Sequence, residues 1–181
     1  METARKVWMS RVMHGSAAML VLLGSGFGAM APAQAQDTAQ ATPLKRYVYV
    51  AGGAQVKDTR TGLTWQRCSV GQVWRQRTCV GEPTKLRYDD AIALAEQTPG
   101  WRLPQVYELV SLVDYSRYDP AIDLKAFPTT PAYYYWTATV VAEHPTYAWD
   151  VNFDSGDVTQ SGRVQESYVR LVKASSTPPK R

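Results

Sequence analysis

An α+β fold is predicted for this chain of 181 residues by three observations: β-prone runs near both ends, two helix-period segments between them, and turn residues separating the runs. Tyr47-Val48-Tyr49-Val50 is β-branched and aromatic and leads into a Gly52-Gly53 turn, so it reads as a first strand. Val56 and Leu63-Thr64-Trp65 flank Asp58-Thr59-Arg60-Thr61-Gly62, the composition of a turn between two short strands. Gln66 to Pro83 holds both mature cysteines and reads as a loop that needs a covalent staple. Tyr88, Ala91, Ile92 and Ala95 fall at i, i+3, i+4 and i+7, which predicts a helix ended by Pro99-Gly100. A second helix is expected from Leu103-Pro104, with proline in a first-turn position and Val106, Leu109, Val110 and Val113 on one face.

From Asp114 to Pro131 the pattern is irregular and contains three prolines. Tyr134 to Val140 is again β-prone. Trp149, Val151 and Phe153 then alternate with Asp150, Asn152 and Asp154, predicting a strand with one wet face before a Ser155-Gly156 turn. Val158 and Tyr168 to Val172 suggest returning strands. The expected architecture is two helices packed on short antiparallel strands.

The domain boundaries follow from composition. Arg5, Lys6 and Arg11 precede an apolar stretch from Ala17 to Met30 and an Ala33-Gln34-Ala35 cleavage signal, so residues 1–35 read as a signal peptide. The stretch is broken by Gly24, Gly26 and Gly28 and falls short of the roughly 20 apolar residues of a membrane span. No stable membrane span is expected once it is removed, and the protein is expected to be bacterial and periplasmic or secreted. Residues 36–46 read as a flexible lead-in, 47–174 as one domain, and 175–181 as a Ser/Pro/Lys tail. Without the leader, 17 basic residues face 15 acidic ones, a net charge of +2. No basic stripe survives, which argues against nucleic acid as a partner.

Cys68 and Cys79 are expected to form a structural disulfide in an oxidising compartment, worth up to roughly 3 kcal/mol by loop closure. A redox-active or metal-binding pair is the alternative, against which stand the absence of a C-x-x-C spacing and of a nearby histidine. Asp150-x-Asn152-x-Asp154 resembles the start of a calcium loop, but Gly156 comes one position late and Ser161 occupies the bidentate-glutamate position. Asp154 and Asp157 remain the weak metal candidates, and no cofactor is expected. His144 has no nucleophile in view, and no G-x-S-x-G context is present. Trp65, Trp101, Trp136 and Trp149 read as core aromatics. Arg102 and Arg170 read as buried or half-buried guanidinium groups that brace the fold through Glu108 or Asp114.

Several blocks occurring in order carry a resemblance. They are Q-V-K-D-T-R-T-G-L-T-W-Q from Gln55, W-R-L-P-Q-V-Y-E-L-V-S-L-V-D from Trp101, Tyr135-Trp136-Thr137-Ala138-Thr139, Ala148-Trp149-Asp150-Val151-Asn152-Phe153, Gly156 and Tyr168-Val169-Arg170. Together they resemble the Lcl C-terminal domain family, a domain-of-unknown-function family named for a Legionella collagen-like adhesin, over residues 55–173. The resemblance implies a C-type-lectin-like fold related to the sulfatase-modifying factors, and export. Some members sit in adhesins and engage sulfated polysaccharides. This chain has no collagen-like repeat.

Binding candidates are the aromatics and cations outside those blocks or on irregular segments. Tyr115, Arg117, Tyr118, Lys125, Tyr133 and Tyr134 surround the Pro-rich stretch, where tyrosine faces can stack on sugar rings and arginine can bind sulfate or carboxylate in a bidentate way. Arg67, Arg75 and Arg77 form a second basic group on the cysteine segment. The expected function is a non-enzymatic exported binding module for a cell-envelope or extracellular, anionic glycan. The alternative is a structural or protein-interaction component of the envelope, with an envelope protein as partner. An enzyme related to the sulfatase-modifying factors ranks third.

Overall fold

A computed structural model describes residues 45–173, and residues 1–44 and 174–181, which carry the expected leader, most of the lead-in and the tail, lie outside the described part. The strands and helices in chain order are β1 Tyr47–Val50, β2 Gln55–Asp58, β3 Thr64–Gln66, β4 Val73–Arg75, β5 Thr78–Val80, β6 Leu86–Arg87, α1 Tyr88–Glu96, α2 Val106–Val110, β7 Tyr134–Val141, β8 His144–Asn152, β9 Val158–Gly162, β10 Glu166–Ser167 and β11 Val172–Lys173. One sheet has the order β1-β2-β3-β11, a second β7-β8-β9, and two ribbons pair β4 with β5 and β6 with β10. Every strand pairing is antiparallel. The small α+β fold therefore has its first and last strands in one sheet.

The β7-β8-β9 sheet is covered on both faces, which follows from its register. Tyr135 lies opposite Val151, and both enter a cluster with Trp65, Leu109, Phe127 and Phe153. Trp136 lies opposite Asp150 on the other face and packs with Tyr88, Ala91, Leu103 and Leu171. Each fully buried aliphatic or aromatic side chain contributes about 1.5–3 kcal/mol relative to exposure. Tyr88 meets Trp136 edge to face at 5.6 Å, so the apolar stripe of α1 is seated on the sheet's second face.

Arg170 crosses between these layers. It is fully buried, and its guanidinium donates to the Gln66 carbonyl at 3.0 Å, the Arg67 carbonyl, Thr130 Oγ1 at 2.8 Å and Ser69 Oγ at 3.3 Å. The Phe127 ring lies 4.9 Å from its centre. Its hydrogen-bond partners are all neutral, so burial pulls the guanidinium below its ordinary range. Tyr135 and Ser69 exchange a hydroxyl hydrogen bond at 2.7 Å beside it, and burial pushes the Tyr135 phenol up. The expected pairing of Arg170 with a carboxylate is thus replaced by a cage of carbonyls and hydroxyls.

Arg102 does find Glu108. Its two terminal nitrogens donate to the two carboxylate oxygens at 2.7 Å each, and the Gln105 N–H donates to Glu108 Oε2 at 2.7 Å, which closes the start of α2. Burial pushes the Glu108 carboxyl up, but the Arg102 and Gln105 hydrogen bonds outweigh it and hold it below the usual range. Asp114 pairs instead with Arg117 at 2.8 Å.

Four expectations are corrected. The second helix spans only Val106–Val110, with Gln105 as its N-cap and Pro104 outside it. Leu112 and Val113 keep the apolar face through i→i+3 bonds to Leu109 and Val110, which is why the period extends past the helix. The Gln66–Pro83 segment holds the β4–β5 hairpin rather than only loop. Asp150, expected on a wet strand face, is fully buried because α1 and the β6–β10 ribbon cover that face. Arg46, placed in the lead-in, is bound to Asp58 at 2.9 Å and to the Ser111 carbonyl, so the folded part starts before Tyr47.

Two outcomes follow. Arg170→Met removes the donors from four acceptors, three of them buried, and should destabilise by about 3–5 kcal/mol in urea unfolding, with Arg170→Lys recovering little because an ammonium lacks the planar fork. Because Glu108 is depressed in the folded state, its contribution is complete above the unfolded value near 4.3 and fades as pH falls through the folded one. Glu108→Gln should cost about 1–3 kcal/mol near neutral pH, tempered by the exposed end of Arg102, and its gap to wild type should narrow below about pH 4 in a pH series of unfolding curves.

Candidate functional site

Two clefts gather the chemistry. The first, the basic cleft of about 500 Å³, is lined by Tyr49, Arg67, Trp74, Arg77, Leu124 and Lys125, together with Gly52, Gly53 and Pro128. Arg67 follows β3 and lies between two rings, 4.3 Å from the centre of Tyr49 and 4.1 Å from that of Trp74. Its Nε donates to the Ala126 carbonyl at 2.6 Å, and its terminal nitrogens donate to the Gly53 and Lys125 carbonyls at 2.7 Å each. A guanidinium has five N–H donors, so two remain uncommitted after these three bonds. Burial pulls Arg67 below its ordinary range, yet an arginine stays charged in a protein.

The hairpin positions the other half of this cleft. Cys68 and Cys79 form a disulfide with Cα atoms 5.4 Å apart, tying β5 to the segment that leaves β3. That tie sets β4, and with it Trp74, over the Ala51–Gly53 turn, where the indole N–H donates to the Gly52 carbonyl at 3.2 Å. Glycine is favoured beneath the ring: its φ of +88° strains any residue with a Cβ, and a Cβ there would come within 3.1 Å of Trp74, so the indole would have to give by a few tenths of an ångström. The β4–β5 turn is Gln76-Arg77, with φ of 48° and 66°. Both central residues at positive φ is what a type I′ hairpin requires, and Asn-Gly is the usual solution. Gln and Arg accept the strain, which costs roughly 1–2 kcal/mol per residue, and Arg77 thereby stands on the cleft rim. No aspartate or glutamate lines the cleft. The Asp123 carboxylate, whose charge acts on Arg67, is turned to backbone, its Oδ1 accepting the Lys125 N–H at 2.8 Å.

The second, polar cleft encloses about 580 Å³ between the β7-β8-β9 sheet and the β6–β10 ribbon. Tyr133 and Tyr134 form its aromatic wall, with Lys85, Thr159, Ser161 and Gln165 around them. The Lys85 ammonium sits 3.5 Å from the Tyr133 ring centre and 5.3 Å from that of Tyr168.

The nine binding candidates are therefore divided. Arg67, Arg77 and Lys125 converge in the basic cleft, and Tyr133 and Tyr134 in the polar one. Tyr115, Arg117 and Tyr118 line neither; both tyrosines are exposed, and Tyr115 packs over Gly156 while Arg117 is held by Asp114. Arg75 is exposed on β4 and also lines neither. Asp157 Oδ2 accepts the Ser155 hydroxyl at 2.5 Å, and Asp154 closes a turn through its N–H to Asn152 Oδ1 at 3.0 Å. Among the described residues no group of three or more His, Cys, Asp or Glu side chains is placed to hold a metal. His144 opens β8 and is exposed.

A family model, the Lcl C-terminal domain, matches residues 54–173, which is nearly all of the described chain. The chain belongs to the Lcl C-terminal domain family. No curated protein and no solved structure matches it. Both cleft walls fall within the matched stretch of this Lcl C-terminal domain, except Tyr49 and the Gly52-Gly53 turn.

Sequence reasoning missed Tyr49, Trp74, Lys85 and Thr159. Trp74 carried a usable signal, a tryptophan between two cysteines and flanked by arginine; Lys85 and Thr159 carried none, because only the tertiary pairing of β9 and β10 with their neighbours brings them together. Replacing the strained turn tests its role directly: Gln76→Asn with Arg77→Gly should raise the midpoint of thermal unfolding and stabilise by about 1–2 kcal/mol.

Proposed function

We propose that this Lcl C-terminal domain is an exported, non-enzymatic binding module that recognises an anionic glycan of the cell envelope or its surroundings through the basic cleft. One observation carries it: Arg67, Arg77 and Lys125 share a cleft that has aromatic walls and no lining carboxylate. Arginine presents paired donors to sulfate or carboxylate, and the exposed face of Tyr49 offers a surface for a sugar ring. The cystine supports residence in an oxidising compartment, and no helix among the described residues is long and apolar enough to cross a membrane. We assign the fold to the C-type-lectin-like group on the family resemblance, with the antiparallel sheets and two helices in keeping with it.

A second reading, docking of an envelope protein, draws on Val73 and Val80, which face each other across the hairpin and are 55% and 46% exposed. Kinship with the sulfatase-modifying factors would call for a reactive thiol, and Cys68 and Cys79 are joined here.

Retention on a heparin column distinguishes these. Wild type should bind and elute with rising salt, and the Arg77→Ala, Lys125→Ala double variant should elute well before it. Arg75→Ala removes a charge of the same kind outside the cleft and should elute with wild type. No retention, or equal losses for Arg75→Ala and Arg77→Ala, would contradict the assignment.

A further inference from the structure

We infer that the polar cleft is a second ligand site, independent of the basic one, and that it takes an uncharged saccharide. Its lining differs in kind. Three hydroxyls (Thr159, Ser161, Ser167) and two amides (Gln160, Gln165) stand beside Tyr133 and Tyr134, and the two charged residues, Lys85 and Glu166, are of opposite sign. Neither of those charges is in an ion pair among the described residues. The volume of about 580 Å³ falls inside the roughly 300–1,000 Å³ of small-molecule sites.

A buried carboxylate beneath the cleft points the same way. Asp150 lies in register with Thr159 on one side and Trp136 on the other, so its side chain is on the sheet face that forms the cleft floor. It is fully buried, and Oδ1 accepts the Thr159 hydroxyl, whereas Oδ2 has no partner among the described residues. Thr159 Oγ1 is the donor in this bond, so its proton is spent inward and its lone pairs are turned to the cleft. Thr159 is thereby fixed as an acceptor for a ligand hydroxyl, with Asp150 as its positioning residue. A buried acid with one oxygen unpartnered is costly to keep, and no apolar replacement could orient the Thr159 hydroxyl in this way.

Opposed charges, fixed acceptors, free amides and tyrosine rings suit the alternating hydroxyls and apolar faces of a sugar ring. They do not suit a sulfate, which needs an excess of donors. Lys85 is already placed over Tyr133, so it orders the aromatic wall rather than adding a free cation.

The test uses protein expressed from the full chain, with lactose, cellobiose and N,N′-diacetylchitobiose as probes at about 10 mM, read by titration calorimetry or amide chemical shifts. At least one should bind, with an affinity that does not change between low and high salt. Thr159→Val, which keeps shape and removes the acceptor, should weaken it about five- to tenfold, and Ser161→Ala should weaken it too. Asp150→Asn should weaken sugar binding while leaving heparin retention as in wild type. Absence of binding by all three sugars, loss of binding in salt, or binding indifferent to both Thr159→Val and Ser161→Ala would overturn the inference. Failure of heparin retention alone would leave this site standing, since it removes the basic cleft only.

Discussion

A buried cation held entirely by neutral groups sets the frame of this molecule. Arg170 occupies the junction of the two sheets, and its four acceptors come from the end of β3, from Ser69 beyond it and from Thr130 across the core. A guanidinium in such a place must keep all its partners, because each lost acceptor leaves a desolvated donor behind. The consequence is rigidity in one particular stretch, Gln66 to Ser69. That stretch contains Arg67 and Cys68, so the group that stacks in the basic cleft and the cysteine that anchors the hairpin are both fixed from beneath by Arg170.

The basic cleft is then built outward from that fixed stretch. Arg67 is locked between Tyr49 and Trp74 by three backbone carbonyls, and Trp74 is held in place by a hairpin whose far strand is tied back by Cys79. The disulfide closes a separation of 11 residues, a contribution of about 3 kcal/mol by loop closure, and its structural value lies as much in orienting one indole as in stability. The strained Gln76-Arg77 turn fits the same pattern. A more comfortable Asn-Gly turn would stabilise the hairpin and remove a cation from the rim.

Legibility in the sequence followed the range of the interactions concerned. The strands at Tyr47 and Tyr134, the first helix and the pairing of Arg102 with Glu108 were readable, because local periodicity and a six-residue separation carry them. The shortness of α2 was hidden, since Leu112 and Val113 continue its apolar face in tighter turns. Asp150 misled for a different reason: strict alternation marks which face a residue is on, but not whether a second layer covers that face. Of the binding candidates, Arg67, Arg77 and Lys125 come from segments about 50 residues apart, and their convergence depends on the Arg67 bond to the Lys125 carbonyl across that distance. Tyr115, Arg117 and Tyr118 shared the same composition as the converging set and stand elsewhere, so residue type alone could not separate them.

The central claim is that a rigid, cystine-tied scaffold presents Arg67 and Trp74 as one preformed recognition surface. Amide and indole chemical-shift mapping with a short sulfated heparin oligosaccharide tests it most directly. The Trp74 indole, the Arg67 side chain and the Gln76–Arg77 turn should move together on titration while the Trp65 and Trp136 indoles stay still. Shifts confined to Tyr115–Tyr118, or spread through both core tryptophans, would contradict it.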